Sequence, residues 1–312
     1  MSAEKSSLTA NTADREIVIS RVFDAPRELV WDAWTDPKQV VHWWGPQGFT
    51  TTIEEMDVRP GGVWKHVMRG PDGTEYPNKS IFKEVTKPER IVYSHGGGKK
   101  GAPGVHFEAT WSFDVVEGNK TRLTIRQLFA SAEDRDTVVK VYGAIEGGKQ
   151  CLARLGEQLA KTPVVIERTF DAPIELVWKA ITDKEQVSKW SFGGLDGFKA
   201  EVGFKTQFNV HHNGKNFLHL LTVTDVVPGR KIAYTWRYDG HPGDSLVTYE
   251  LFSEGDKTRI KLTHEGLESF QPESNPDYAR GNFVQGWTSL IGSLLKDFVE
   301  KTATRQSTFF TT

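Results

Sequence analysis

Four polar side chains stand where strand alternation turns them inward. His95 falls in register with Ile91 and Tyr93, and Gln127 with Leu123 and Ile125. His219 shares its parity with Leu221 and Val223, and His264 with Ile260 and Leu262. Successive strand residues point to opposite faces, so each of these groups is expected among apolar neighbours. A buried imidazole or amide needs a hydrogen-bond partner. Water, a backbone group or a bound molecule would each serve. Imidazoles are also the side chains best suited to general acid–base work near neutral pH.

Other chemistries lack their residue sets. Nine histidines invite a metal. His211 and His212, however, are adjacent on an expected strand and point apart. No His pair has the helical i, i+4 spacing with a Glu, and a single cysteine makes no cluster. No metal centre is therefore expected. Residues 96–101 read Gly-Gly-Gly-Lys-Lys-Gly. They lack the Ser or Thr after Lys and the following helix of a phosphate loop, and read as a strand connection. No Gly-x-Ser-x-Gly is present, and Cys151 sits on an expected helix without a nearby His in sequence. No catalytic residue and no cofactor is assigned.

The elements that carry these residues occur twice. Arg21-Val22-Phe23-Asp24-Ala25-Pro26, then Glu28-Leu29-Val30-Trp31, returns as Arg168-Thr169-Phe170-Asp171-Ala172-Pro173, then Glu175-Leu176-Val177-Trp178. The offset also aligns Trp43 with Trp190. With small gaps, Arg90-Ile91-Val92-Tyr93 matches Lys231-Ile232-Ala233-Tyr234, and Gly147 matches Gly286. This is duplication of a whole domain. Domains are expected over residues 15–161 and 163–302, with Pro163 stopping the first. Residues 1–14 and 303–312 read as flexible tails.

Within each unit a strand over 15–23 leads to Asp24, an expected N-cap, and Pro26 in the first helical turn. Leu29, Val30, Ala33 and Trp34 recur at helical spacing. A second short helix follows Pro37 and ends near Gly45-Pro46. Strands then alternate with turns at Pro60-Gly61-Gly62, Pro71-Asp72-Gly73, Gly96 to Gly104 and Gly118-Asn119. One long helix closes each copy. In the first, Val138, Tyr142, Ile145, Leu152, Leu155 and Leu159 share a face. In the second, Phe283, Trp287, Ile291, Leu294 and Phe298 do so. The predicted class is α+β, an antiparallel sheet of about six to seven strands covered on its apolar face by a long C-terminal helix and two short ones. Glycines at 147, 148, 286 and 292 interrupt the long helices at about 1 kcal/mol each. Either helix and sheet approach closely there, or space is kept for a ligand.

Phe-Asp-Ala-Pro before Glu-Leu-Val-Trp, then Trp-Thr-Asp-Pro at 34–37, Trp-Trp-Gly-Pro at 43–46 and Arg-Pro-Gly-Gly at 59–62, resembles the START-like (helix-grip) superfamily. Within it, the chain is similar to the group related to the C-terminal domain of the activator of heat-shock-protein-90 ATPase. Leu262-Thr263-His264-Glu265-Gly266-Leu267 carries the likeness into the second copy. The resemblance implies two tandem helix-grip domains, each with a cavity between sheet and helix for lipids, sterols, polyketides or other apolar molecules. The second copy departs from the pattern: Ser191 replaces Trp44 and Gly193 replaces Pro46.

Strand parity supplies candidate lining residues: Phe82, Tyr93, Phe107, Trp111 and Phe129, with His95 and Gln127, in the first copy. Trp43, Trp44 and Phe49 lie near the short helices that close the mouth in this superfamily, and Ile145, Gly148 and Leu152 would form the opposite wall. Trp190, Phe208, His219, Leu221, Tyr234, Trp236, Tyr249, His264 and Trp287 are the second set.

The 39 basic and 41 acidic residues leave a net charge of −2. No basic field exists for nucleic acid or an anionic membrane surface. One cysteine fits a reducing, cytoplasmic setting. Residues 1–14 lack the apolar core of a signal peptide, and no apolar run spans a bilayer. The leading expectation is non-catalytic binding of a small apolar or amphipathic molecule. A chaperone-cofactor module, implied by the resemblance, is the alternative. A cyclase- or hydrolase-like enzyme using His95, His219 or His264 is the third.

Overall fold

A computed structural model describes residues 12–309 except 100, 103, 118–119, 192–196, 213 and 273. The expected Gly118-Asn119 turn, Gly193 and most of the N-terminal tail lie outside the described residues. The chain divides into two compact units, Met1–Leu159 and Ala160–Thr312.

The first unit begins with β1 (Glu16–Phe23), α1 (Arg27–Thr35) and α2 (Pro37–Trp43). Six strands follow: β2 (Thr50–Met56), β3 (Val63–Arg69), β4 (Glu75–Thr86), β5 (Arg90–Gly97), β6 (Val105–Val116) and β7 (Lys120–Leu128). Two helices end it, α3 (Ala132–Tyr142) and α4 (Ala144–Lys161). The sheet order is β1-β7-β6-β5-β4-β3-β2, and every pairing is antiparallel.

Two local expectations are corrected. Pro26, not Asp24, is the N-cap of α1, with no side-chain cap bond. Pro26 already lies at the boundary, so Asp24 is too far from the helix to cap it. Asp36 caps α2 instead, accepting from Lys38 N–H. The closing helix is also not continuous. Gly143 adopts the left-handed conformation (φ 59°) and ends α3, a role that glycine fills without steric cost. Ile145, just after this break, is turned outward and 39% exposed.

The second unit repeats the plan. It comprises β8 (Val164–Phe170), α5 (Ile174–Thr182), α6 (Lys184–Trp190), β9 (Lys205–His212), β10 (Lys215–Val227), β11 (Lys231–Tyr238), β12 (Ser245–Glu254) and β13 (Lys257–Glu265). Among the described residues its sheet has six strands, ordered β8-β13-β12-β11-β10-β9. Two short 3-10 turns, Leu267–Phe270 and Pro276–Tyr278, precede α7 (Arg280–Ser289). A π-helical segment, Leu290–Leu295, joins it to α8 (Lys296–Phe309), which carries the helix past residue 302.

Each copy repeats the same side-chain bolts. Thr121 Oγ1 donates to Ala25 O at 2.7 Å, and Thr258 Oγ1 to Ala172 O at 2.8 Å. The Trp43 indole donates to Ala33 O at 2.9 Å, and that of Trp190 to Ala180 O at 2.8 Å. These bonds satisfy buried polar groups and pin α1–α2, or α5–α6, into one corner.

Candidate functional site

Both copies enclose a cavity between sheet and helix, and the two differ in size and lining. That of the second unit has a volume of about 530 Å³. That of the first has about 200 Å³. Sites for drug-sized ligands span roughly 300–1,000 Å³, so only the second falls in that range.

Three substitutions explain the difference. In the first unit Trp34 is the hub of an aromatic cluster. Its ring centroid lies 5.2 Å from Trp111, 5.5 Å from Trp64 and 6.2 Å from Trp44. Trp44 in turn packs 4.6 Å from Trp64. The constant offset places Ile181 opposite Trp34 and Ser191 opposite Trp44. Backbone bonds align the third pair. Gly61 N–H donates to Phe82 O and Phe82 N–H to Gly62 O, while Gly203 N–H donates to Val223 O and Val223 N–H to Phe204 O. Thr206 therefore replaces Trp64. Indoles that fill the first core become Ile, Ser and Thr, and space opens.

The second cavity is walled by aromatic rings. Trp236 lies 5.0 Å from Trp287 and 5.7 Å from Phe208, and Tyr234 lies 6.0 Å from Tyr249. Leu221 and Trp190 line it as well, as do Ile181, Ser191 and Leu290. His219 is stacked on Phe208 at 4.3 Å, and its Nδ1–H donates to Phe217 O at 2.8 Å. Burial pushes its imidazole down to about 4, so it is neutral near pH 7. The Tyr234 and Tyr249 phenols are hydrogen-bonded to each other, and burial raises both. Polar side chains, His211, His212, Asp277, Asn282, Gln285 and Ser289, also border the cavity.

The helix glycines answer both expected roles: close approach at Gly147, Gly148 and Gly292, the last 3.3 Å from Arg168 Nε for an added Cβ, and open space at Gly286. A Cβ at Gly148 would meet Ile19 Cδ1 at 2.4 Å, and one at Gly147 would meet Pro46 Cγ at 3.3 Å. There helix and neighbouring structure approach closely. A Cβ at Gly286 would meet nothing within 4 Å, and Gly286 borders the cavity.

Of the sequence-predicted residues, Trp44, His95, Phe107, Trp111, Gln127 and Gly148 border the first cavity. Trp190, Phe208, His219, Leu221, Tyr234, Trp236, Tyr249 and Trp287 border the second. Others lie elsewhere. Trp43 is a corner bolt. Phe82 and Tyr93 pack around Trp34 at 6.2 and 6.1 Å. Phe129 sits behind Phe107 at 5.4 Å, and Phe49 packs on Tyr76 at 5.7 Å. Leu152 is buried core, whereas Ile145 faces outward.

His264 is also corrected. Ser245 Oγ lies 2.8 Å from Trp236 O and 2.8 Å from His264 Nε2. The serine proton goes to the carbonyl, so Nε2–H donates to the serine. His264 Nδ1 accepts from the Trp287 indole at 2.9 Å. Both ring nitrogens are satisfied within the protein, and burial pushes the group down to about 3.

Sequence reasoning missed His66, Asn78, Tyr238 and Tyr278. Tyr238 shares the parity of Tyr234 and Trp236 and was open to the same rule. Tyr278 lies on the 3-10 turn before α7, where no periodicity operates. Among the described residues no cluster of three His, Cys, Asp or Glu side chains could hold a metal ion. No helix among them is long and apolar enough to cross a membrane.

The sheet, its gripping helix and the cavity between them define a helix-grip domain, present twice. The chain belongs to the family described as activator of Hsp90 ATPase homolog 1-like protein, whose model matches residues 24–160 and 171–300. No functionally curated protein matches it. Protein Ms6760 from Mycobacterium smegmatis is 27% identical over 48% of this chain and 93% of that one, with a TM-score of 0.43. A protein from Arthrobacter aurescens, solved by NMR, is 28% identical over 49% and 90%, with a TM-score of 0.45. DynU16, from the dynemicin biosynthetic locus, is 16% identical over 93% and 99%, with a TM-score of 0.36.

Proposed function

We propose that the second domain binds a small, largely apolar molecule with a planar ring system, and that the role is binding and not catalysis. The observation that carries this reading is the open space at Gly286, whose counterpart in the first copy, Gly147, stands against Pro46 of the loop after α2. A helix-interior glycine costs about 1 kcal/mol relative to alanine, and here no steric contact requires it. The surrounding rings of Trp236, Trp287, Tyr249 and Phe208 offer offset and edge-on partners to a flat ligand. Polar groups such as Asn282 and Gln285 supply the few orienting contacts that such sites carry. The first domain, its interior filled by indoles, has no room for such a molecule.

Titration with naphthalene- and anthracene-type compounds, fatty acids and sterols, read by tryptophan fluorescence, tests the proposal. Saturable quenching by the ring compounds, lost in Gly286→Phe, is the expected result. Absence of saturable binding by every class overturns it.

A further inference from the structure

We propose that the first domain holds a second site of different chemistry: its pocket takes a small uncharged molecule through a carbonyl oxygen that accepts a hydrogen bond from His66 Nδ1. The Trp44 indole nitrogen lies 3.0 Å from His66 Nε2. An indole nitrogen only donates, so Nε2 is the acceptor and the imidazole proton resides on Nδ1. His66 is 2% exposed, and its Nδ1 has no partner among the described residues. Trp64 stacks on the ring at 4.3 Å and Trp44 meets it edge-on at 5.9 Å, so the imidazole is clamped in place. Buried donors are almost always paired, and His66 borders the 200 Å³ pocket.

The positions of these polar groups on the sheet are particular to this copy. His66 pairs across the sheet with Asn78, as Phe208 pairs with His219. His95 pairs with Phe107, as Trp236 pairs with Ser245. Gln127 pairs with Ala109, as His264 pairs with Val247. Phe, Trp and an internally satisfied His therefore stand in the second domain where His66, His95 and Gln127 border the first pocket. Asn78 Nδ2 donates to Tyr76 O at 2.7 Å, and its carbonyl oxygen lies against Gly97. No Lys, Arg, Asp or Glu borders the pocket. A charged guest would be buried without a counter-charge, at large cost. Burial also keeps His66 and His95 neutral, pushing them down to about 3 and about 4. What fits is a compact ketone, amide or lactam.

The test uses the full chain with 15N-labelled His and Trp. Cyclopentanone and 2-pyrrolidinone are titrated beside the hydrocarbon isostere methylenecyclopentane. The carbonyl compounds are expected to shift the His66 Nδ1–H and Trp44 Nε1–H resonances saturably, at least tenfold more tightly than the hydrocarbon. Trp287 Nε1–H should not move, which separates this site from the second domain's and makes the outcome independent of that proposal. His66→Phe, the residue of the second copy, should abolish the response at Trp44. If that variant does not fold, the carbonyl-over-hydrocarbon preference of the unaltered chain still decides. Equal response to both compounds, no saturable shift, or exchange with water as the only event at Nδ1 overturns the proposal.

Discussion

The indole N–H of Trp287 on α7 donates to Nδ1 of His264 on β13 at 2.9 Å, tying the gripping helix to the sheet. Both residues are nearly fully buried. His264→Phe would leave the Trp287 donor and Ser245 without their partner, at a cost of about 1–3 kcal/mol. Trp287→Phe would leave His264 Nδ1 unpaired at a similar cost. A double-mutant cycle by denaturant unfolding should return a coupling energy of at least about 0.5 kcal/mol. Additive losses would show that the bond contributes nothing specific.

Acid sensitivity follows from four buried imidazoles. His66, His95, His219 and His264 are held at about 3 to 4 by burial, against roughly 6.5 when unfolded. Below pH 6.5 the unfolded chain therefore binds protons that the folded chain refuses. Their contribution is complete above that pH and is lost as pH falls towards 4. With two such groups in each domain, stability should decline by at most about 2.7 kcal/mol per pH unit in each. Denaturant midpoints between pH 7.5 and 4.5 measure the slope. His264→Gln, the residue of the first copy, should halve it for the second domain.

Much of this was legible in sequence because strand parity and duplication are strict. Alternation turns Tyr234, Trp236 and Tyr249 to the inner sheet face, where the resemblance implies a cavity, and the 147-residue offset pairs Trp44 with Ser191. The helices were less legible. Gly143 reads like any other helix glycine, yet its left-handed backbone splits α3 from α4 and turns Ile145 outward. His264 looked like an open anchor because parity reports which way a side chain points, not whether Ser245 and Trp287 have already satisfied it. His66 escaped notice because its significance depends on Trp44, which is distant in sequence and adjacent only in the fold.

The two helix glycines should answer alanine differently. At Gly286 the added methyl meets open space, so Gly286→Ala should stabilise the second domain by about 1 kcal/mol. Its ring-compound affinity should fall as the cavity narrows. At Gly148 the methyl lands 2.4 Å from Ile19 Cδ1. Ile19 must then leave its preferred rotamer, at about 0.5–1.5 kcal/mol, and the helical gain is cancelled or reversed. Thermal unfolding of the two variants gives the contrast directly. Equal effects would mean that the space beneath Gly286 closes in solution.

Trp44→Ser copies the second domain's residue into the first. Trp44 touches Trp34, Trp43, Trp64 and Trp111 within 6.2 Å, so its removal leaves a void among large rings. The expected cost is about 3 kcal/mol, the lower end for tryptophan truncation in a core. The same change should create an apolar-ligand response in the first domain. Calorimetry with the ring compounds measures this as a second binding event, absent in the unaltered chain.

The π-helical segment makes a prediction about register. Ordinary helical spacing from Phe283, Trp287 and Ile291 leads to Leu294 and Phe298. The structure instead buries Leu295 and Val299 completely and leaves Leu294 39% exposed. One extra residue in the turn over 290–295 shifts the face by one position. Deleting exposed Ser293 would convert it to regular α-helix, with Leu295 three and Val299 seven positions after Ile291 in the shortened chain. Both spacings keep them on the sheet-facing side. Deleting exposed Glu157 from α4, which has no such turn, would instead leave Leu159 six positions after Leu152, about 120° around the helix from it, and forfeit up to about 2 kcal/mol of burial. Thermal melts should therefore show the Ser293 deletion folded near the parent's midpoint and the Glu157 deletion well below it. Equal losses would mean that the extra residue is built into the packing and is not a removable insertion.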